Sequence, residues 1–538
     1  MTVWISRRPE ADVRRELDTS RASCGSLAGV RLVVQDNVDV RGLPTTAGCP
    51  EFARVPERDA PVVAALRDAG AVVLGKANLD QFAVGLVGTR SPYGVVHDRR
   101  RPEFISGGPA SGSAVAVAEG AADLAVVTDP VGTGGISAAL QGIVSIKPTA
   151  GVIDGAGVLP GGRFGIGIFA GSLALADRAA AVIAAGAPAR NWPADVRLAA
   201  PLSPVVAVPR EPHPDRRWRS AFDAAVEALA GRGARIVEVD VAGFLAASRL
   251  VDDVALLNER LAIVDQFVES HPDAALDPAV LASVVAVRGV SAQQLIRERD
   301  KVRRLRDGAM SVLAGADVLV VPTVAGHPAI ADVAAEPEAV DRLVGGFTNF
   351  CAAFDMCAVG VPAGTAGDAQ FGVTVLARAF DDAVALDVAA LLEGEPMPTV
   401  WPMAIADHVE LVVFGAHLRG GPLVHQLTDR GARFAGEITT AARYKMVALP
   451  TTPPKPGVTR VPEGTEGAAL TGHRWLLSPA ALGAFLAALP APMQLGAVEF
   501  ADGSWRTAFG CDASVQGLDI SGYGSWTNAL AAGAVGQT

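Results

Sequence analysis

Apolar and polar positions change period along this chain, and each period names an element. In DAPVVAALRDAG, Val62, Val63 and Leu66 share one side of a helix, and a Gly turn leads into a buried strand over Ala71–Leu74. The opening segment, 1–25, predicts a short helical lead-in. LAVVTD (124–129), SPVVAVPR (203–210), ADVLVVP (316–322) and FGVTVLARAF (371–380) are apolar runs of strand length. RWRSAFDAAVEALAGRGARIVEVDV (217–241) reads as helix, Gly turn and strand. Strands alternating with helices predict α/β layers. The aperiodic, Pro-rich GEPMPTVWP (394–402) is the best boundary. The expected division is a first domain at 1–395, a linker at 396–404 and a second domain at 405–538.

Between Ile105 and Thr149 the pattern nearly loses its charges and fills with Gly, Ala and Ser. Two Gly-rich loops, GGPASGS and PVGTGG, flank a small-residue apolar stretch that predicts a helix of about 10–14 residues. Small residues let backbones approach each other and a ligand closely. One such loop would suit a tightly packed core. Two at fixed spacing point to a site built from backbone amides.

Composition narrows the classes. Half of the 538 residues are apolar, but the excess is Ala, Val and Gly, and no run of about 18 apolar residues has membrane flanks. The first residues lack the apolar core of a signal peptide, and the reduced cysteines lead to the expectation of a cytoplasmic protein. A formal charge of −11 argues against a nucleic-acid surface. Cys24, Cys49, Cys351, Cys357 and Cys511 form no CxxC and read as buried reduced thiols. The histidines show no HxH or HxxxH pairing, so neither metal nor cofactor is expected. The expected ligand is a small molecule, with no membrane or nucleic-acid partner. His327, after a strand, reads as a loop histidine, and Arg90 as an ion-pair former, with binding of a substrate carboxylate as the alternative.

The 105–149 stretch resembles the amidase signature family, and the flanking sequence narrows the likeness to allophanate hydrolases. Their patterns are close to GGSSSGSA, TD-x-x-GSG-R-x-PA and NGIVGLKPTRG. The resemblance implies an α/β/α core with a mixed central sheet. It also implies a serine nucleophile, a second serine after a cis peptide, and a lysine from a K-D-N motif. Here VVQDN puts Gln35 at the lysine position, GGPAS puts Pro109 at the bridging serine, and DPVGTGG puts Thr133 at the nucleophile. Pro109 and Thr133 stand 24 positions apart, from 109 to 133, as the family spacing requires. All three positions are changed. An amide is no base. Proline carries no hydroxyl. A threonine hydroxyl is a poor nucleophile without a neighbouring base. The oxyanion loop, with Ser111, Asp129, Val131 and Gly132 nearby, gains Pro130, which removes one N–H; such a loss costs on the order of 10²–10³ in rate. Gly135 and Ser137 replace the family's arginine and proline. Leu261 stands where the family's tyrosine is usual. Gly108–Pro109 is expected to be cis, since an X-Pro bond accepts that form at roughly 0.5–1 kcal/mol.

The likeness continues through HVELVVFGAHLRGGPLVHQL, YKMVALPTTPPKPGVTRV and ISGYGSW, and so covers nearly the whole chain. It implies a smaller β-rich, γ-glutamyl-cyclotransferase-like C-terminal domain. In full-length relatives the amidase domain releases ammonia from allophanate, and the second domain assists decarboxylation of the resulting N-carboxycarbamate. His417 and His425 are kept here, as a catalytic candidate and a substrate-binding candidate; the family's asparagine after Pro-Leu is Val424. Three functions stay open: a degenerate amidase domain beside a working C-terminal domain; an enzyme of altered acyl or carbamoyl chemistry using Thr133; and an allophanate hydrolase with an unusual active site. The family resemblance also implies a homodimer.

Overall fold

The β-branched runs of the first 394 residues are buried on both faces, which is what a sheet covered by helices on each side requires. The computed structural model describes residues 3–129, 134–159, 165–186, 188–211, 215–251, 254–394, 401–404 and 407–535. The chain separates into two compact units, one of 1–191 with 203–396, the other of 192–202 with 397–538.

In the first unit, eleven strands among the described residues form one mixed sheet. They are β1 (Trp4–Arg7), β2 (Arg31–Gln35), β3 (Val72–Ala77), β4 (Leu124–Asp129), β5 (Val144–Lys147), β6 (Gly165–Ala170), β7 (Val205–Pro209), β8 (Arg235–Val239), β9 (Val318–Pro322), β10 (Met356–Ala366) and β11 (Ala369–Arg378). Their order is β1-β3-β2-β4-β6-β5-β10-β11-β9-β7-β8. β2 runs parallel to both β3 and β4, so Gln35 and Asp129 emerge at the same end of the sheet.

Helices α1 (Glu10–Arg21), α2 (Pro61–Asp68), α3 (Ser111–Ala118) and α4 (Gly134–Gln141) follow the first strands. The lead-in therefore holds a strand as well as a helix, because Trp4–Arg7 finds a partner edge on β3. The strand expected at 71–74 runs on to Ala77. α3 is shorter than its apolar run suggested. It stops before Gly120, whose φ of 71° turns the chain away. Its small residues have a steric cause: a Cβ on Gly112 would collide with the Val3 carbonyl and press on Asn78.

The second unit has its own core around Phe414, Trp475, Phe500 and Trp526. β12 (Val409–Val413), β13 (Arg433–Thr439), β16 (Thr471–Leu477), β17 (Met493–Glu499) and β18 (Trp505–Cys511) make one sheet, in the order β13-β16-β12-β18-β17. β14 (Tyr444–Leu449), β15 (Lys455–Arg460) and β19 (Leu518–Asp519) make a second. The segment Trp192–Leu202 belongs here: Leu198 N–H donates to the Gly431 carbonyl, and Arg433 Nε donates back to the Leu198 carbonyl. All five cysteines are free, and Cys24, expected to be buried, is exposed because it lies in the polar turn after α1. Among the described residues no single helix is long and apolar enough to cross a membrane.

Candidate functional site

Gln35 ends β2 and is fully buried. Its Oε1 accepts from the Thr128 N–H at 2.7 Å and the Thr128 hydroxyl at 3.2 Å. Thr128 Oγ1 in turn accepts from Asn37 Nδ2 at 3.0 Å. The carbonyl end of Gln35 is thus committed to the neighbouring strand β4. Its Nε2 has no partner among the described residues, nor do the buried hydroxyls of Ser111 and Ser137. Ser111 opens α3, and Ser137 lies in α4.

Pro109 is buried, and the Gly108–Pro109 bond is cis, as the sequence led us to expect. The loop around it hangs on Asp80. Asp80 Oδ2 accepts from the N–H groups of Val87 and Gly88, Oδ1 accepts from the Arg90 N–H, and the Asp80 N–H donates to the Pro109 carbonyl. A Cβ on Gly108 would collide with Asp80 Oδ2, so this contact needs glycine. The Arg90 side chain is nearly buried and pairs with Asp341 at 2.6 Å, which makes it a brace of the loop. Asp129 is buried at the end of β4, in the field of the wholly buried Lys147. Thr133, Val131, Gly132 and Pro130 lie outside the described residues. Leu261 is buried among Phe82, Val264 and Phe267. His327 is held by Arg101 and the Ile105 carbonyl, as a structural loop histidine would be.

One charged residue beside Gln35 escaped the sequence reading. Lys76 on β3 is fully buried; its Nζ lies 3.4 Å from Asp36 Oδ1 and donates to Thr45 Oγ1 at 3.2 Å. Burial pushes the Lys76 ammonium down and the Asp36 carboxyl up, and their mutual attraction opposes both shifts.

The second unit holds a distinct constellation. His417 lines a cavity of about 240 Å³ bounded by Phe414, Met493 and Phe509. Its ring stacks on Phe509 at 5.2 Å and meets Phe485 edge-on at 5.3 Å. Nε2 lies 2.9 Å from Gln426 Oε1. Burial holds His417 below the ordinary histidine range; the hydrogen bond to Gln426 opposes that shift, and Lys455 and His425 add smaller pushes downward. Arg430 and Lys455 line the same cavity, and among the described residues no Asp or Glu does. Neither cation has a carboxylate partner among the described residues; Arg430 Nη1 donates to the Gln426 carbonyl at 2.7 Å. Such a cavity suits a small anion. His425 is exposed and does not line it. Adjacent helical residues point about 100° apart, so the turn that brings Gln426 to the cavity sends His425 outward. Gln426, Arg430 and Lys455 were missed as site residues. The only signal was the 426/430 spacing, which puts both on one face of a turn.

The amidase family model matches residues 8–386, and the allophanate hydrolase C-terminal domain model matches residues 409–531. The urea amidolyase of Lachancea kluyveri is 34% identical over 97% of this chain, and that of Saccharomyces cerevisiae is 34% identical over 93%. This chain spans 31% and 29% of those two proteins. The selenomethionine-substituted allophanate hydrolase of Kluyveromyces lactis superposes with a TM-score of 0.89 at 32% identity, over 98% of this chain and 93% of that one.

Proposed function

Because this chain belongs to the amidase family and resembles an allophanate hydrolase along nearly its whole length, we propose that it keeps that architecture without ordinary amidase turnover, and that its C-terminal unit carries the remaining chemistry. The observation that carries the first half is Gln35. At the position of the family's base stands a buried amide with no basic nitrogen, its oxygen already bound to Thr128. Pro109 removes the relay hydroxyl as well. A second reading, binding of a small acyl or carbamoyl compound in the old pocket, draws on Gln35 Nε2, Ser111 Oγ and Ser137 Oγ, which have no partner among the described residues.

For the C-terminal unit the substrate proposed is a small N-carboxylated compound. Lys455 and Arg430 hold its negative charge. His417 takes the proton from one carboxyl group and returns it to nitrogen as the C–N bond breaks. Carbon dioxide leaves, the bonding pair stays on nitrogen, and His417 ends as it began.

The test is ammonia release from allophanate by the purified full chain. The expected rate lies on the order of 10⁴–10⁶ below that of an ordinary allophanate hydrolase. A rate within about tenfold of that enzyme would defeat the proposal, since it would require a working base. Malonate, titrated calorimetrically, should bind the wild-type chain, and His417→Ala should weaken it with the fold unchanged by circular dichroism.

A further inference from the structure

We infer that Gln426 is a positioning residue that fixes His417 in its Nε2–H form, so that proton transfer in the cavity runs through Nδ1; this rests on the reading of the cavity as a carboxylate site. The two residues are separated by a chain reversal. Gly421 N–H donates to the Leu418 carbonyl, and Leu423 N–H donates to the Ala416 carbonyl, which brings Gln426 back to the ring of His417. An amide oxygen only accepts, so across the 2.9 Å contact it is Nε2 that carries the hydrogen. The lone pair is left on Nδ1, for which no partner exists among the described residues. Stacking on Phe509 and the edge of Phe485 hold the ring plane, so the choice of nitrogen is not lost to rotation.

The surroundings keep the ring neutral. Lys455 and Arg430 share its cavity, His425 adds a weaker positive field, and no acid among the described residues lines it. Burial works in the same direction. A neutral imidazole with one nitrogen occupied is a base at a single defined atom. The labour is then divided: the two cations neutralise the ligand, and His417 moves the proton. Were His417 itself the anion clamp, it would have to be charged, against its burial and the field of Lys455.

The experiment is nitrogen NMR of the full chain labelled with ¹⁵N-histidine, with and without malonate. The wild type is expected to show His417 protonated on Nε2 and bare on Nδ1 at neutral pH. Gln426→Leu should leave a mixture of tautomers. Gln426→Glu, which keeps an acceptor, should keep the tautomer and raise the pH at which the ring charges by about one unit. Lys455→Met should weaken malonate roughly tenfold or more without altering the tautomer. Hydrogen on Nδ1 in the wild type, or an unchanged tautomer in Gln426→Leu, overturns the inference even if malonate binds. If Gln426→Leu fails to fold, Gln426→Glu decides: no rise in the charging pH overturns it. The expected tautomer without malonate binding upholds the role of Gln426 and overturns the carboxylate-site reading instead.

Discussion

Lys76 stands one strand from Gln35, and a displaced lysine is the obvious substitute for a missing base. The register excludes it. Lys76 pairs with Val34 and Ala77 pairs with Gln35, so Lys76 leaves the sheet on the face opposite to Gln35. Its ammonium is also engaged by Asp36 and Thr45. Its role is therefore stability, and the two partners stand or fall together. Lys76→Met should destabilise the protein by about 3–5 kcal/mol, because it strands a buried carboxylate. Adding Asp36→Asn should recover part of that loss, since a buried pair replaced on both sides is tolerated better than one broken. Urea denaturation of the two variants measures both effects; a Lys76→Met variant as stable as the wild type would refute the assignment. At this scale the departures of Gln35 and Pro109 from the family's motifs were legible, since both sit in short contiguous stretches. The partners of His417 were not, because Lys455 reaches the cavity from a segment 38 positions away, between 417 and 455.

Among the elements, the loop Gly415–Leu418 and the strand β15 meet so closely that the sequence of each constrains the other. A Cβ on Gly415 would collide with the ring of Pro456, next to Lys455. The glycine of GAHL is thus what lets Lys455 and His417 share one cavity. Gly415→Ala should push β15 outward, cost roughly 1–3 kcal/mol, and weaken malonate binding. Thermal unfolding and calorimetry together check this; unchanged malonate affinity in a folded Gly415→Ala variant would show that the close approach does not shape the site. Element types were well marked in the sequence wherever an apolar run had turn residues at its ends, as at LAVVTD. Lengths were less so. α3 ends earlier and β3 later than their apolar runs suggested, because Gly120 and the pairing of β3 with β1 decide those limits.

Across the whole molecule, the proposed function sets an altered chemistry inside the family's architecture. Asn37 and Thr128 still form a hydrogen-bonded chain with the side chain at position 35. Asp80 still ties the 87–90 backbone to the loop at Pro109. Ser111 and Ser137 are buried, and their hydroxyls have no partner among the described residues. If the proposed loss of turnover lies in the three side chains, putting them back should restore some of it. The variant Gln35→Lys, Pro109→Ser, Thr133→Ser is expected to release ammonia from allophanate at least about tenfold faster than the wild type. It should still fall short of a full enzyme, because Pro130 has no N–H at a position where the family resemblance implies an oxyanion donor, a loss worth on the order of 10²–10³. Each single reversion should gain nothing measurable, since nucleophile, relay and base act as one unit and any two are idle without the third. Adding Pro130→Gly to the triple variant should then raise the rate again. A triple variant that folds, melts like the wild type and stays silent would place the loss beyond these three side chains, and the claim that the frame alone has survived intact would fail with it.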